Sequence, residues 1–442
     1  MSSANLTTVV VNPRLDFFTK PPVNVTSVKY SVTVSDPQTV PNGENPITFV
    51  IHSDDQFINF SESFLRFKLK VTQENGNDLP ANMNNHLNFT PNIFHSLFRM
   101  VRVRVNDYVV TPANDNYSFK AFIDALFSRT EDSKSMELFT GADYDEGGED
   151  EFGAANPAWL RRAARCNQSA LQEYSGRLAV DFLLCSRNVL PNTKIEITLF
   201  PHAPQFVIQH DGHADVANVN FKFGIQDCQF HVRREEIASS ALLAIEQRLS
   251  VDPAAYYFPL GAVKPYNIPI GSFSFRADDI FNNHMPQKII CGFVRSTSFN
   301  GNFALNPFYF NPTNDIEQIQ FFKNGVLLGL QRPSPIDLAD ESTDKHVAFR
   351  ELNKAVNSTR GDLALPFNLT DYSNGYFFAG VDLTPDGQDD MSHRYLGDQG
   401  SLNIFVKFRN ATHHALELLI YGTFQEEVNI TKSRSVVSAL SV

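Results

Sequence analysis

Several short segments of this chain alternate apolar residues with charged or polar residues at a period of two. In residues 65–71 every second position is Leu, Phe or Val, and arginine or lysine fills the positions between them. The alternation recurs at residues 101–105 and 194–199. Because successive side chains of a β-strand point to opposite faces, this period predicts strands with one buried and one solvated face. Such strands must bury their apolar faces against a second layer.

The composition is rich in phenylalanine. Among 442 residues there are 39 Phe and 1 Trp, together with 24 Pro and 22 Gly. Aromatic side chains suit half-buried pleated surfaces, and Pro and Gly punctuate many short strands. Since a β-sandwich commonly contains about 200 residues, a chain of this length predicts two such domains.

The two halves of the chain show the same order of strand-like and helical segments, without residue-level identity. We therefore predict an all-β protein with short helices, built from two antiparallel β-sandwiches in tandem. The predicted division is an N-terminal arm at 1–45, a first sandwich at 46–210 with a long insertion at 129–175, a second sandwich at 218–436 and a tail at 437–442.

Two dipeptides predict tight turns between strands. Asn324-Gly325 separates two apolar runs and is the strongest hairpin signal in the chain, and Asn106-Asp107 predicts a second turn. Near the end of the chain, the apolar runs at 400–408 and 416–422 are predicted to pair as a closing hairpin.

Other elements follow from the spacing of apolar residues. A stripe at three- and four-residue spacing after Asn116 predicts a capped helix that ends near Leu126. Further helices are predicted at 159–163, at 237–249 and around Leu352, and further strands at 177–184, 219–223, 228–232, 289–294, 316–322 and 375–383.

Charge and cysteine content exclude several classes of protein. The net charge of −12 gives no general attraction to nucleic-acid phosphates, so we expect no sequence-specific binding of nucleic acid. The N-terminal residues lack the pattern of a signal peptide, and no apolar run reaches the about 20 residues of a membrane span. The cysteines form no C-x-x-C pair and are predicted to be reduced thiols that fill the core; they are Cys166, Cys185, Cys228 and Cys291.

Two histidine pairs are the candidates for metal binding. His210 and His213 lie in a Gly-containing loop without a third ligand nearby in sequence, so we prefer to interpret them as part of a solvated linker. His413 and His414 are adjacent, and adjacent residues of an extended chain point to opposite faces. We interpret this second pair as polar turn residues.

Two charged clusters are further candidate binding sites. The acidic run at 143–151 lacks the spacing of an EF-hand loop and is interpreted as a solvated loop tip. Arg161, Arg162 and Arg165 form the one compact basic cluster of the sequence. In so acidic a chain, pairing with acidic neighbours is preferred over phosphate binding.

Sequence motifs of the common enzyme classes are absent. The sequence has no Walker-type phosphate loop, no G-x-G-x-x-G, no H-E-x-x-H and no G-x-S-x-G. We therefore predict no catalytic residues, no cofactor and no metal, and we expect that the protein is not an enzyme.

Motifs between about residue 47 and residue 436 carry a family resemblance. The most specific is Phe299-Asn-Gly301 followed by Asn306-Pro-Phe308, and the others lie at 92–106, 117–126, 161–162, 176–181, 191–199, 257–271, 286–294, 324–325, 376–385, 400–408 and 416–422. In this order they resemble the double jelly-roll major capsid proteins of Polinton/Maverick-type and adintovirus-type DNA viruses. The acidic run at 143–151, the polar sequence at 337–345 and the C-terminal residues depart from the family's pattern.

The resemblance implies a hexon-like structural capsid protein with two jelly rolls per chain. It implies a homotrimer of pseudo-hexagonal outline that tiles an icosahedral shell around a DNA genome. The implied partners are other copies of the chain, neighbouring capsomers, and penton or minor capsid proteins. The implied location is the virion, after synthesis in the host cytoplasm.

Two alternatives to a capsid protein stay open. One is a β-sandwich carbohydrate-binding, lectin-like protein, and the other is an enzyme with an unrecognised site. A lectin is expected to stay small in solution and retain a sugar, whereas a capsid subunit is expected to form trimers and shells.

Overall fold

A computed structural model of the chain describes most residues between 26 and 438. Within that span the description leaves out 113, 129–155, 312, 314, 329–334, 340–341, 343, 357–364, 366 and 385–398. The described residues form 19 strands, all paired antiparallel, and eight short α-helices.

The strands of the first half include the alternating segments. They are β1 Ser27–Ser35, β2 Ile47–His52, β3 Phe57–Gln73, β4 Leu87–Phe89, β5 Phe98–Val105, β6 Tyr108–Val109, β7 Gln172–Gly176, β8 Lys194–Pro201, β9 Ile208–His210 and β10 Phe221–Ile237. The alternating residues 65–71 lie in β3, where every second side chain is fully buried. The period-two pattern therefore predicted these strands correctly.

Two four-stranded sheets form the first sandwich. Their strand orders are β1-β10-β3-β7 and β2-β8-β5-β6. Phe49 of β2 and Phe230 of β10 meet between the sheets with 5.8 Å between ring centroids, and Phe67 of β3 meets Phe98 of β5 at 6.0 Å. The apolar faces of the two sheets are thus buried against each other.

The second half forms a second sandwich. Its strands are β11 Ala254–Ile268, β12 Ser274–Ala277, β13 Lys288–Arg295, β14 Ile316–Lys323, β15 Val326–Leu327, β16 Phe378–Asp382, β17 Leu402–Phe408, β18 Leu416–Ile430 and β19 Val436–Ser438. The sheet orders are β11-β18-β13-β16, with β19 added beside β18, and β12-β17-β14-β15. Phe293 of β13 and Phe408 of β17 pack between the two sheets with centroids 6.3 Å apart.

The two sandwiches repeat one topology. Each strand of the order β1-β10-β3-β7 corresponds to a strand of β11-β18-β13-β16, and β2-β8-β5-β6 corresponds to β12-β17-β14-β15 in the same way. Each sandwich therefore has eight strands in the same chain order. The tandem arrangement of two antiparallel sandwiches is confirmed.

The helices lie in the connections between strands. They are α1 Ile93–Ser96, α2 Tyr117–Phe127, α3 Pro157–Cys166, α4 Pro204–Val207, α5 Ser239–Arg248, α6 Ser296–Phe299, α7 His346–Val356 and α8 Leu369–Ser373. The predicted helices at 116–126, 159–163, 237–249 and around Leu352 correspond to α2, α3, α5 and α7.

Both predicted tight turns are present. Asn324 and Gly325 have φ values of 49° and 79° between β14 and β15, and Asn106 and Asp107 have 45° and 71° between β5 and β6. Positive φ at both central positions is the geometry of a two-residue type I′ hairpin turn.

The prediction of a closing hairpin is wrong. Strand β17 pairs with β12 and β14, whereas β18 pairs with β11 and β13 in the opposite sheet. The residues between them, 409–415, cross from one sheet to the other, and the Thr412 carbonyl accepts a hydrogen bond of 2.8 Å from the Gly271 N–H. Two apolar runs close in sequence thus face one core from opposite sides.

The strand predicted at 177–184 is also wrong. Strand β7 ends at Gly176, and the N–H of Leu183 donates a hydrogen bond of 2.9 Å to the Val180 carbonyl, which closes a turn. The apolar residues Leu178, Val180 and Phe182 are nevertheless buried. Their alternation reflects a buried irregular segment.

Strand pairing does not follow the predicted domain boundaries. Strand β10, assigned to the second sandwich, pairs with β1 and β3 and completes the first. Strand β1, assigned to the N-terminal arm, is the edge of the same sheet. This pairing favours a boundary after Ile237, because a long strand that continues past residue 218 belongs with the sheet that bonds to it.

Candidate assembly surface at the junction of the two sandwiches

Helix α2 is the centre of the junction between the sandwiches. Eight of its 11 residues are buried, because the helix lies between β5 of the first sandwich and β11 of the second. Asn116 precedes the helix but makes no capping hydrogen bond, and its amide instead donates to the Val263 carbonyl of β11 at 3.3 Å. The predicted capping residue thus serves the junction.

One lysine in α2 joins three parts of the chain. Lys120 Nζ donates to Asp124 Oδ2 at 2.7 Å and to Asp181 Oδ1 at 2.9 Å. The other oxygen of Asp181 accepts from the Gly261 N–H of β11 at 3.0 Å. The Tyr421 hydroxyl of β18 donates to Asp124 Oδ1 at 2.7 Å. The network therefore links both sandwiches through buried, charge-assisted hydrogen bonds.

The network stays charged at its centre. Burial works against the ammonium of Lys120, but Asp124 and Asp181 outweigh it and raise the pKa of Lys120 well above its usual value. Burial raises the pKa of Asp181, an effect that Lys120 opposes. Burial, followed by the charge of Asp124, raises the pKa of Tyr421. The arrangement suits a structural role, since the Tyr421 phenol stays protonated and the Lys120 side chain stays charged.

The space beside this network is small. A cavity of about 30 Å³ is lined by Lys120, Gly261, Val263 and neighbouring residues. A water molecule needs only about 10–15 Å³ of such space, so the cavity holds a few waters at most and no larger ligand.

A buried histidine, His95, and a partly buried histidine, His202, contact the first turn of α2. His95 Nδ1 lies 2.9 Å from the Tyr117 hydroxyl, and His202 Nε2 lies 3.2 Å from the Ser118 hydroxyl. Burial lowers the pKa of each imidazole to about 3, with small contributions from the positive charges of Lys120 and Arg99. Both side chains are therefore neutral at physiological pH.

The first sandwich also contacts the start of β11. The Tyr256 hydroxyl donates to the Asn188 carbonyl at 3.1 Å, and Arg187 donates to the Ala255 carbonyl. The ring of Phe182 packs against Tyr256 and Phe258 with centroids 5.7 and 5.8 Å away. The segment after β7 thus covers the start of β11.

A phenylalanine cluster completes the junction. Phe122 of α2 stacks on Phe308 of the second half with centroids 4.3 Å apart and planes 2° apart. Phe119 stacks on Phe299 at 5.2 Å. Because aromatic pairs add packing energy to the burial of their area, this contact holds the two sandwiches in a fixed arrangement.

Comparison with the sequences of known proteins finds a relative of similar length. The chain is 23% identical over 407 residues to an uncharacterized protein of Caenorhabditis elegans, a match that covers 89% of this chain and 93% of the relative. No protein-family model matches the chain.

Solved structures match the fold over nearly the whole chain. A chain of the Sputnik virophage aligns with a TM-score of 0.63 and 11% identity, covering 100% of this chain and 94% of the other. The mavirus major capsid protein aligns at 0.58 and 10%, covering 100% and 97%. The PBCV-1 virus capsid aligns at 0.57 and 12%, covering 96% and 99%. This chain has the double jelly-roll fold. The two sandwiches are its first and second jelly rolls.

The candidate metal ligands do not converge. His210 is buried against Phe303, with centroids 6.0 Å apart, while His213 stacks on His86 at 3.9 Å. His413 and His414 are exposed in the crossing between β17 and β18. In the described part of the chain, no group of three His, Cys, Asp or Glu residues is placed to hold a metal ion.

One histidine contact near these candidates was missed in the sequence. His86 Nδ1 lies 2.7 Å from Asp211 Oδ2, although the two residues are 125 positions apart. No local pattern connects them, because the contact depends on the pairing of β4 with β9.

The structure describes the predicted basic cluster and the cysteines but not the acidic run. Arg162 is buried while Arg161 is exposed, so α3 divides the basic cluster between two environments. The acidic run at 143–151 lies outside the described residues. All four cysteines are free thiols; Cys166, Cys228 and Cys291 lie in the core as predicted, whereas Cys185 is only partly buried. Burial raises the pKa of Cys166, Cys228 and Cys291 to about 12.

Among the described helices, none combines the length and the apolar character required to cross a lipid bilayer.

Proposed function

We propose that this chain is a structural subunit of a viral capsid. The observation that carries the proposal is the repetition of one jelly-roll topology in two domains that a buried junction holds in a fixed arrangement. The likeness to the capsid chains supports it. A rigid tile with two similar units suits a shell, because similar units can make similar contacts around a symmetry axis.

The proposed assembly is a homotrimer. Three chains with two jelly rolls each give six similar corners, the pseudo-hexagonal capsomer that tiles an icosahedral shell around DNA. Its contacts are expected to bury more than about 2,000 Å², as in other obligate oligomers. The proposed partners are neighbouring capsomers and penton or minor capsid proteins, and the proposed lineage is that of the Polinton/Maverick-type and adintovirus-type viruses.

The proposed role requires no reaction and no DNA. With a net charge of −12, assembly is driven by contacts between copies and not by phosphate attraction. The proposed location is the virion, after synthesis in the host cytoplasm, and we propose that the protein is not an enzyme.

The test is light scattering coupled to size-exclusion chromatography, with negative-stain microscopy, on nuclease-treated protein. The expected result is a particle of three chains of 49.7 kDa each, or larger shells. A stable monomer across salt and protein concentrations overturns the proposal. Specific retention of a glycan by that monomer favours the lectin-like alternative, and turnover of a small molecule favours an enzyme.

A further inference from the structure

The amine of Lys120 lies against two carboxylates in the junction. Its Nζ atom is 2.9 Å from Asp181 Oδ1 and 2.7 Å from Asp124 Oδ2, and it also donates to the Ala179 carbonyl at 3.1 Å. The side chain of Lys120 is 10% exposed, and that of Asp181 is 14% exposed. A primary amine and a carboxyl group are the two reactants of amide formation, and the fold holds them together without help from solvent.

An exposed ion pair of the same chain shows what burial adds. Lys68 Nζ is 2.5 Å from Asp227 Oδ2, but these two side chains are 28% and 57% exposed. Water stabilises an exposed ammonium and an exposed carboxylate, and neither ion reacts with the other. Burial disfavours both charged forms, so the neutral amine and the neutral acid that react are closer in free energy to the ion pair. Burial therefore makes Lys120 a better nucleophile than Lys68.

The backbone of β11 approaches both reactants closely. The Gly261 N–H donates to Asp181 Oδ2 at 3.0 Å, and this oxygen gains negative charge when an amine attacks the carboxyl carbon. A Cβ atom at Gly261 would lie 2.9 Å from Lys120 Cε, so only glycine lets the lysine lie this close to the strand. The second jelly roll thus fixes the lysine and supplies a hydrogen-bond donor to the carboxyl group.

Asp124 is placed to move protons between the reactants. Its Oδ2 accepts from Lys120, and its Oδ1 accepts from the Tyr421 hydroxyl at 2.7 Å. The tyrosine therefore holds one oxygen of Asp124 toward the amine. A carboxylate within hydrogen-bonding distance of the proton that it takes up meets the geometric requirement of a general base.

We propose that Lys120 and Asp181 form an intramolecular amide bond, an isopeptide cross-link, in the folded chain, with Asp124 as the proton carrier. This inference goes beyond the proposed function and does not depend on it. The bond joins α2 to the segment after β7, across 61 positions of sequence. A covalent cross-link that closes so long a loop stabilises a protein mainly by restricting its unfolded state.

The reaction starts from the ion pair and conserves atoms and charge. Asp124 carries one proton from the Lys120 ammonium to Asp181 Oδ1, which leaves a neutral amine beside a neutral acid; burial, which raises the pKa of Asp181, favours that acid. Nζ then bonds to Cγ of Asp181, and the Gly261 N–H stabilises the negative charge on Oδ2. Asp124 carries a second proton from Nζ to Oδ1, the Cγ–Oδ1 bond breaks, and Oδ1 leaves as water. Asp124 ends as a carboxylate, and no other reactant is consumed.

The site has room for the water that is released. The cavity of about 30 Å³ beside the network is lined by Lys120, Asp181 and Gly261 among other residues. One water molecule needs about 10–15 Å³ of such space. The leaving water therefore has a place next to the reacting atoms, and the small volume keeps further water from hydrolysing the bond.

The first experiment measures the mass of the intact chain by electrospray mass spectrometry, after incubation of the folded protein and denaturation. The wild-type chain is expected to be lighter than its sequence by one water molecule. Lys120→Arg keeps the positive charge but has no primary amine, and it is expected to have its full mass. Lys68→Arg, at the exposed pair, is the matched control and is expected to lose water as the wild type does. A wild-type chain of full mass overturns the inference.

The second experiment locates the lost water. An Asp-Gly sequence such as Asp211-Gly212 also loses water when it cyclises, so the wild-type chain is digested with trypsin and its peptides are sequenced by tandem mass spectrometry. The expected product is a branched peptide that contains both Lys120 and Asp181. Loss of water from linear peptides alone overturns the inference, and so does a bond between Lys120 and Asp124.

A third measurement tests the proton carrier. Asp124→Asn retains the shape of the side chain but carries no proton, and it is expected to slow cross-linking at least about a hundredfold, so that freshly purified protein has its full mass. A cooperative thermal transition shows that this variant is folded. Cross-linking as complete as in the wild type overturns the role of Asp124. All of these masses are read on denatured single chains, so no result depends on whether the protein forms a trimer.

Discussion

The Tyr421 hydroxyl donates a hydrogen bond of 2.7 Å to the carboxylate of Asp124, across 297 positions of sequence. Tyr421 belongs to β18 of the second jelly roll, and Asp124 belongs to α2 of the first. Asp124 also accepts from Lys120. This contact therefore closes a largely buried charge network that reaches both jelly rolls, and it makes the junction sensitive to single substitutions.

Tyr421→Phe is expected to lower the free energy of unfolding by about 1.5–3 kcal/mol, because a hydrogen bond to a charged group is lost while the ring remains. The measurement is equilibrium unfolding in urea. Tyr30→Phe, which removes a hydroxyl from an exposed ring, serves as the control and is expected to change stability by less than about 0.5 kcal/mol. Equal effects in the two variants would show that the Asp124 contact contributes nothing.

Lys120→Met is expected to destabilise the protein by about 3–5 kcal/mol, because it leaves the largely buried carboxylates of Asp124 and Asp181 without their cation. Lys407→Met removes an exposed partner of Glu317 and is expected to cost less than about 1 kcal/mol. Thermal unfolding of both variants checks the difference. Adding Asp181→Asn to Lys120→Met is expected to restore part of the lost stability. If the double variant is no more stable than Lys120→Met, the unpaired carboxylate of Asp181 is not the cause of the loss.

Stability is expected to fall below pH 6.5 because of His95 and His202. Their pKa values are about 3 in the folded chain, against 6.5 for an unperturbed imidazole. The unfolded state therefore binds protons first, so the contribution is fully present above pH 6.5 and is lost as the pH falls toward 3. Each histidine costs about 1.4 kcal/mol per pH unit in that window.

The raised pKa of Asp181 acts in the opposite direction. As the pH falls, this carboxylate takes up a proton in the folded state before it does so in the unfolded state, which adds to the free energy of unfolding. The measurement is the melting temperature between pH 7.5 and 4.5. His202→Asn is expected to make the pH dependence shallower, and His413→Gln, at an exposed position, is expected to leave it unchanged. A wild-type melting temperature independent of pH would refute the lowered pKa values of His95 and His202.

Gly325→Val is expected to destabilise the protein by about 1–3 kcal/mol, through backbone strain at a φ of 79°. A Cβ atom added at Gly325 meets nothing within 4 Å, so the expected cost comes from the backbone conformation. Gly224→Val is the matched control, since Gly224 also has open space but lies in β10 without a positive φ. An unchanged melting temperature for Gly325→Val would mean that the turn adapts freely.

Features that depend on neighbours in sequence were predicted well. The alternation in β3 and β5 gave their buried faces, because side-chain direction in a strand follows from position alone. The turn at Asn324-Gly325 follows from residues that tolerate positive φ. The apolar stripe of α2 was visible for the same reason, since a helix has a fixed period.

The tertiary structure decided what those elements contact. Residues 400–408 and 416–422 have the same strand patterns whether they pair as a hairpin or lie in opposite sheets. Only the packing of two sheets around one core places β17 and β18 in different sheets. Nothing local assigns β10 to the first jelly roll or brings Tyr421 to Asp124. The sequence by itself determined most of the strands, the two tight turns and the tandem class through local periodicity. Partner choice required the whole chain, because long-range contacts gain their energy only when both surfaces are buried together.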